Sequence, residues 1–363
     1  MKKRDLIIVN TYYQLIFALQ LRLTTLKDDY VLLIITDHSR NAKQIYERLS
    51  NTHIFDDIDF VESYKQIYNR SFLMKIKDYF NITVCNSNEF KSYLNNIEDK
   101  RFDSIISYNY SVDLFGIYSI LSIYNRDIEV SCMEESVFYD NLDLDRKIWN
   151  YSNVIRKAFR KPSISKHLKY FYCFYPSLYH GRLEAKRVPR ISNDSRCAYE
   201  IKKIFNISED ELKYDEKYIY FSSVLDFEGE EPIGEFELVK KIAELVGKNN
   251  LLIKQHPRDF RNVYRDSGFK VDKNSDIPWE AIQLSYNFEN HIFLTANSGS
   301  VLAGSLMTKN PVKTFYMFNF CNIKNNSYAL SFQKALEKLL NSQEIKQYLS
   351  NVFVANNIED ILI

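Results

Sequence analysis

The chain has 363 residues, 45% of them apolar and 15% aromatic, which exceeds what one hydrophobic core usually organises and predicts two domains of roughly 150 to 200 residues. Its 48 Lys and Arg nearly cancel 47 Asp and Glu, so a net charge of +1 excludes a strong overall field toward nucleic acid or a membrane. With only eight Gly and no GxGxxG or GxxxxGK run, the common dinucleotide and triphosphate loops are excluded as well.

Behind the basic start Lys2-Lys3-Arg4 the apolar run spans only Leu6 to Val9, too short for a signal-peptide core, and no later segment reaches 18 uninterrupted apolar residues. The expectation is a cytoplasmic protein, soluble or peripheral to a membrane. Cys85, Cys132, Cys173, Cys197 and Cys321 are odd in number, far apart and without a CxxC pair. That pattern predicts reduced thiols and no structural zinc.

Leu6 to Val9 reads as a first strand, Tyr12 to Leu26 as an amphipathic helix, and Tyr30 to Thr36 as the next strand. A helical segment near Tyr68 to Tyr79, a strand Ser104 to Ser107, a helix Val112 to Tyr124 and a strand Ile128 to Met133 continue the alternation. Residues 1–150 are therefore predicted to form one doubly wound α/β domain. From Trp149 to Arg190 the texture turns basic and aromatic, and residues 151–215 read as a connection. A second unit, 216–363, begins with a strand Tyr218 to Ser222 and a helix Glu235 to Val246, followed by a strand Leu251 to Lys254. It continues with a helix from Pro278, a strand His291 to Leu294, a helix from Ser298 and a strand Val312 to Tyr316. Two Rossmann-like units in series predict a ligand cleft between their sheets.

His256, in Lys254-Gln255-His256-Pro257-Arg258, follows a strand, at the edge where open α/β sheets place ligands. Pro257 fixes the exit of the chain. The histidine either donates to a phosphate oxygen or protonates a leaving group, or else sits in an incidental surface turn. Asn297-Ser298-Gly299-Ser300 lies between a strand and a helical segment, so its hydroxyls and free N–H groups suit an anion or a simple cap. Glu280, in Pro278-Trp279-Glu280, either accepts both hydroxyls of a ribose or complements a helix dipole. Glu134 and Glu135 end the strand Ile128 to Met133, where a buried pair would suit a general base and an exposed pair a solvated turn. Asp143-Leu144-Asp145 matches a metal-binding DxD literally, but no strong strand precedes it, so it reads as loop and no metal is expected.

In order and spacing the set resembles the bacterial sialyltransferases of the two-domain GT-B type, which include lipooligosaccharide sialyltransferases, polysialyltransferases and multifunctional marine and Pasteurella enzymes. Their acidic motif corresponds to Glu134-Glu135-Ser136, their K-x-H-P to Lys254-Gln255-His256-Pro257, their P-x-E to Pro278-Trp279-Glu280 and their Ser-rich motif to Ser298-Gly299-Ser300. Asn10-Thr11-Tyr12-Tyr13-Gln14-Leu15 resembles the family's first strand-to-helix turn, and the resemblance implies substrate contacts for Asn10 and Gln14. It further implies that His256 acts on the phosphate of a CMP-sugar, that Ser298 and Ser300 bind that phosphate, that Glu280 takes the ribose and Lys254 the cytosine. Glu135 is the preferred base, then Glu134, with Asp226 of the second unit as the fallback. Ser136 departs from the family glycine. The implied activity is transfer of sialic acid from CMP-sialic acid to a glycan acceptor without a metal or other cofactor, with a homodimer and a lipid-linked acceptor at the inner membrane face as accompanying expectations. The alternatives are transfer of another CMP-sugar, Kdo or legionaminate, and a non-catalytic glycan-binding subunit.

Overall fold

The computed structural model describes residues 2–62, 71, 73, 74, 77, 80, 94, 99–108, 112–136, 138, 139, 147–208, 210–228 and 230–362. Most of the segment near Tyr68 to Tyr79, Cys85 and Asp143-Leu144-Asp145 lie outside them. The chain divides into two compact units, Met1–Pro189 and Arg190–Ile363.

The first unit is built on strands β1 (Arg4–Val9), β2 (Tyr30–Thr36), β3 (Asp57–Val61), β4 (Ser104–Tyr108), β5 (Glu129–Met133), β6 (Leu168–Cys173) and β7 (Glu184–Arg187). All pair in parallel, in the order β3-β2-β1-β4-β5-β6-β7. The unbroken apolar runs of β1 and β2 follow from this arrangement, because a parallel sheet is covered on both faces. Leu6 and Ile8 cluster with Leu114, Ile117, Tyr118 and Leu121 of the helix Val112–Tyr124. Each such side chain removed from water contributes about 1.5–3 kcal/mol.

The second unit carries β8 (Tyr218–Phe221), β9 (Leu251–Lys254), β10 (Lys270–Val271), β11 (Ile292–Thr295), β12 (Lys313–Tyr316) and β13 (Val352–Val354), again all parallel, in the order β10-β9-β8-β11-β12-β13. Tyr220, Ile253 and Leu294 pack with Leu238, Val239 and Ile242 of the helix Glu235–Val246.

In each unit the strand order reverses beside its first strand, between β1 and β4 and between β8 and β11. Such a switch point opens a crevice at the carboxyl ends of the strands. In the second unit His256 follows β9 and Ser298 follows β11, with β8 between them, so the strands that carry the two loops stand about 10 Å apart.

The stretch 151–215 is not a connection. It supplies β6 and β7 to the first sheet, and the unit boundary falls at Pro189. The edge strand β7, Glu184-Ala185-Lys186-Arg187, needs no apolar outer face, so charge disguises it. Nor is the basic tract all surface. Arg156 is fully buried, donating to Ser119 Oγ at 2.7 Å and the Pro162 carbonyl at 2.5 Å, and Arg190 donates to the carbonyls of Ser305 and Thr308. The helix expected from Ser298 is a 3₁₀ turn, Ser300–Leu302, followed by one α-turn, Ala303–Leu306.

Candidate functional site

In the first unit, Thr11 caps the helix Tyr12–Leu23, its hydroxyl accepting the Gln14 N–H at 3.3 Å. The first turn of that helix therefore faces the carboxyl end of β5. Tyr13 donates its hydroxyl to Glu134 Oε1 at 2.5 Å, and Gln14 Nε2 donates to Glu135 Oε1 at 3.0 Å. Consecutive residues thus hold consecutive carboxylates.

Their environments differ. Glu134 is 1% exposed, and its Oε2 also accepts the Tyr139 hydroxyl at 2.5 Å and the Phe174 N–H at 2.8 Å. Burial pushes its pKa up to about 7 against these bonds. Glu135 is half-buried, and with Tyr108, Glu134, Ser136, Phe138, Tyr139 and Phe171 it lines a pocket of about 140 Å³. Burial raises its pKa too, while bonds from Tyr108 and Gln14 oppose the shift. A carboxylate with both oxygens engaged in the interior is a scaffold. Glu135, only half-buried, is the more accessible of the two to a proton. Ser136, where the resembled family has glycine, accepts the Phe138 N–H at 3.2 Å and is not among the residues with positive φ, so this turn has no need of glycine.

Asn10, half-buried, and Gln14, buried, both expected to contact substrate, spend polar groups on each other and on protein partners. Asn10 donates its N–H to Gln14 Oε1 at 2.7 Å and its amide to Asp113 at 3.3 Å, and it accepts the Thr36 hydroxyl at 3.1 Å. Gln14 is 1% exposed. The strand-to-helix turn is a buried polar junction, and its donors must find partners.

In the second unit, His256 leaves β9 half-buried. Its backbone N–H donates to Ser222 Oγ at 3.0 Å, and its Nδ1 accepts the Arg258 N–H at 3.1 Å. That bond leaves the ring proton on Nε2. Burial first, and the Arg258 charge second, push the pKa down to about 4, so the imidazole is neutral near pH 7. Among the described residues nothing bonds Nε2. Pro257 is exposed in the turn closed by the Asp259 N–H to the His256 carbonyl at 2.9 Å.

Ser298, Gly299 and Ser300 are half-buried at the end of β11, and no protein group bonds the two serine hydroxyls among the described residues. Glu280, in the first turn of the helix Trp279–Ser285, is 9% exposed, and burial raises its pKa, opposed by its own N–H and the Lys254 charge.

Two expectations are corrected. Lys254 presents no free ammonium to a base, because it is 8% exposed and paired with Asp272 at 3.1 Å. Asp226 is a helix cap and not a spare base: its Oδ1 accepts the N–H groups of Gly234 at 2.9 Å and Glu235 at 3.2 Å, and its Oδ2 accepts that of Phe236 at 3.1 Å. Replacing Asp226 with Ala is expected to lower stability by about 1–2 kcal/mol. Activity per folded molecule should persist. Thermal melts run beside turnover check this, and loss of turnover at unchanged melting temperature would restore Asp226 as a base.

No protein-family model matches the chain, and no curated protein matches it. Among solved structures it is similar to an α/β-galactoside α-2,3-sialyltransferase from the luminous marine bacterium Photobacterium phosphoreum, with a TM-score of 0.53, 13% identity, and 99% of this chain and 100% of that one covered. The chain has the GT-B glycosyltransferase fold. A UDP-glucosyltransferase from Polygonum tinctorium (TM-score 0.48, 10% identity, 99% and 86% covered) and a UDP-N-acetylglucosamine 2-epimerase from Rickettsia bellii (0.44, 13%, 87% and 79%) are more distant and add nothing to the fold reading. At such identities likeness extends to the fold alone.

Among the described residues, no three His, Cys, Asp or Glu side chains are grouped as a metal ion requires, and no helix is long and apolar enough to cross a membrane. Cys132, Cys173, Cys197 and Cys321 are free thiols.

Sequence reading missed Tyr13, Tyr139, Ser222 and Asp272. Tyr13 stood in the quoted turn and Ser222 at a strand's end, but their partners lie 121 and 34 residues away.

Proposed function

We propose that this chain is an inverting, metal-independent glycosyltransferase that moves sialic acid, or a related nonulosonate, from its CMP-activated form to a bacterial surface glycan. The observation that carries the reading is the His256 imidazole, a neutral Nε2–H donor of fixed tautomer, two strands from the hydroxyls of Ser298 and Ser300. An anion at this edge meets donors that are already oriented, so little reorganisation accompanies charge development.

The acceptor hydroxyl gives its proton to Glu135 as its oxygen bonds to the anomeric carbon. The bond from that carbon to the CMP phosphate oxygen breaks, and its electron pair leaves on the phosphate. A single displacement of this kind inverts the anomeric centre. His256, Ser298 and Ser300 stabilise the charge that grows on the departing phosphate, and Glu280 accepts the ribose hydroxyls. With an imidazole neutral near pH 7, His256 acts as a hydrogen-bond donor more than as a full proton source. Motif resemblance and likeness in fold to the Photobacterium α-2,3-sialyltransferase both favour a nonulosonate donor. Kdo or legionaminate on CMP would use the same nucleotide contacts, and a donor panel separates them. The half-buried, pocket-lining Glu135 disfavours a purely glycan-binding role.

The test is incubation with CMP-N-acetylneuraminate, following CMP release with and without EDTA. Release that is indifferent to the chelator is expected. Activity abolished by EDTA and restored by a divalent cation, or turnover of UDP-sugars alone, would overturn the reading.

A further inference from the structure

We propose that Glu235 is a positioning residue for the nucleotide half of the site, fixing the loop after β8 so that Ser222 holds the backbone of His256. The inference rests on the role given to His256 above.

Glu235 opens the helix Glu235–Val246 and is 1% exposed. Its Oε1 accepts the Tyr220 hydroxyl at 3.0 Å and the Ser223 N–H at 3.1 Å. Its Oε2 accepts the same N–H at 2.9 Å and the Ser223 hydroxyl at 2.8 Å. The neighbouring Ser222 donates its N–H to the Lys254 carbonyl at 3.1 Å and accepts the His256 N–H on its hydroxyl at 3.0 Å. One buried carboxylate is thus linked, through two consecutive serines, to the residue that offers Nε2–H to the nucleotide.

The ionisable groups facing Glu235 are Asp226 in the same loop, Tyr220 on β8, Tyr264 on the short helix Val263–Asp266, and Cys321 beyond the turn Phe318–Phe320. None of them is a cation, so the charge is held by hydrogen bonds and by the N-terminal end of the helix that Glu235 opens. Burial pushes the pKa up to about 7. The ionised carboxylate accepts every one of these bonds. The protonated acid has a hydrogen of its own to donate, which the Tyr220 or Ser223 hydroxyl can turn to accept. Because burial raises the pKa of Glu235 in the ordered loop above that of a solvated carboxyl, ordering is linked to proton uptake, and the loop is best ordered below pH 7 and loosens as pH rises through it. His256 titrates near 4, and the phosphodiester of a CMP-sugar does not titrate in this window, so neither group produces such a change.

Glu235→Gln keeps the size of the side chain but only one accepting oxygen. Two measurements decide the matter: the KM for CMP-N-acetylneuraminate between pH 6 and 8, and amide hydrogen exchange, corrected for intrinsic rate, at Ser223 and His256 of the ligand-free protein. In the wild type, KM is expected to rise and protection at both amides to fall as pH climbs from 6 to 8. In E235Q the KM should be about tenfold higher than in the wild type at pH 6, flat with pH, and accompanied by a kcat within about twofold of wild type. Protection at His256 should be low at both pH values. Wild-type KM and pH dependence in E235Q, or unchanged protection at His256, would overturn the inference. A wild type that turns over no CMP-sugar removes the nucleotide role of the site, and the exchange result still decides the coupling.

Discussion

His256→Ala is expected to lower kcat/KM for a CMP-sugar by about 10²- to 10³-fold, the usual consequence of removing one oriented donor from a developing anion. The ring offers a single unpaired N–H, on Nε2, because the Arg258 N–H occupies Nδ1. Its neutrality near pH 7 means that no titration of the ring itself alters the effect between pH 6 and 8. The substitution leaves the backbone bond to Ser222 in place, so melting temperature should barely move. Steady-state kinetics at pH 6, 7 and 8 check the point. A defect confined to low pH would mean that an imidazolium acts in its place.

Glu135→Gln is expected to cost about 10²- to 10⁴-fold in kcat with donor KM nearly unchanged, as for loss of a general base. Glu134→Gln should cost much less in turnover, since Glu134 has both oxygens committed to Tyr13, Tyr139 and Phe174. The wild-type rate should climb with pH on the acid side, because the base must be ionised and burial raises the pKa of Glu135. Glu135→Gln should lose that limb. Equal damage from the two substitutions would deny that the less buried carboxylate is the base.

Much of the fold is legible in local pattern. The strands Tyr30–Thr36 and Leu251–Lys254 and the helices Val112–Tyr124 and Glu235–Val246 fall where apolar periodicity puts them, because each is buried by its own composition. Edge strands escape that logic. β3 carries Asp57 and Asp59, β7 is largely charged, and β10 has two residues. Site chemistry divides in the same way. Residue type and placement after a strand single out His256, Glu135 and Ser298. Whether a polar side chain is spoken for depends on partners far along the chain: Asp272 for Lys254, the backbone of Gly234 to Phe236 for Asp226, and Glu135 for Gln14. No local pattern reports those engagements. They separate the groups left open to a ligand from the groups that shape the site.

The most direct measurement is calorimetric titration of CMP and of cytidine into the wild type and into H256A at pH 8. If the second unit holds a nucleotide phosphate through the imidazole and the two serines, CMP binds at least about tenfold more tightly than cytidine to the wild type, and that advantage largely disappears in H256A. Equal affinities for CMP and cytidine, or an advantage that survives the substitution, would contradict a phosphate site at His256.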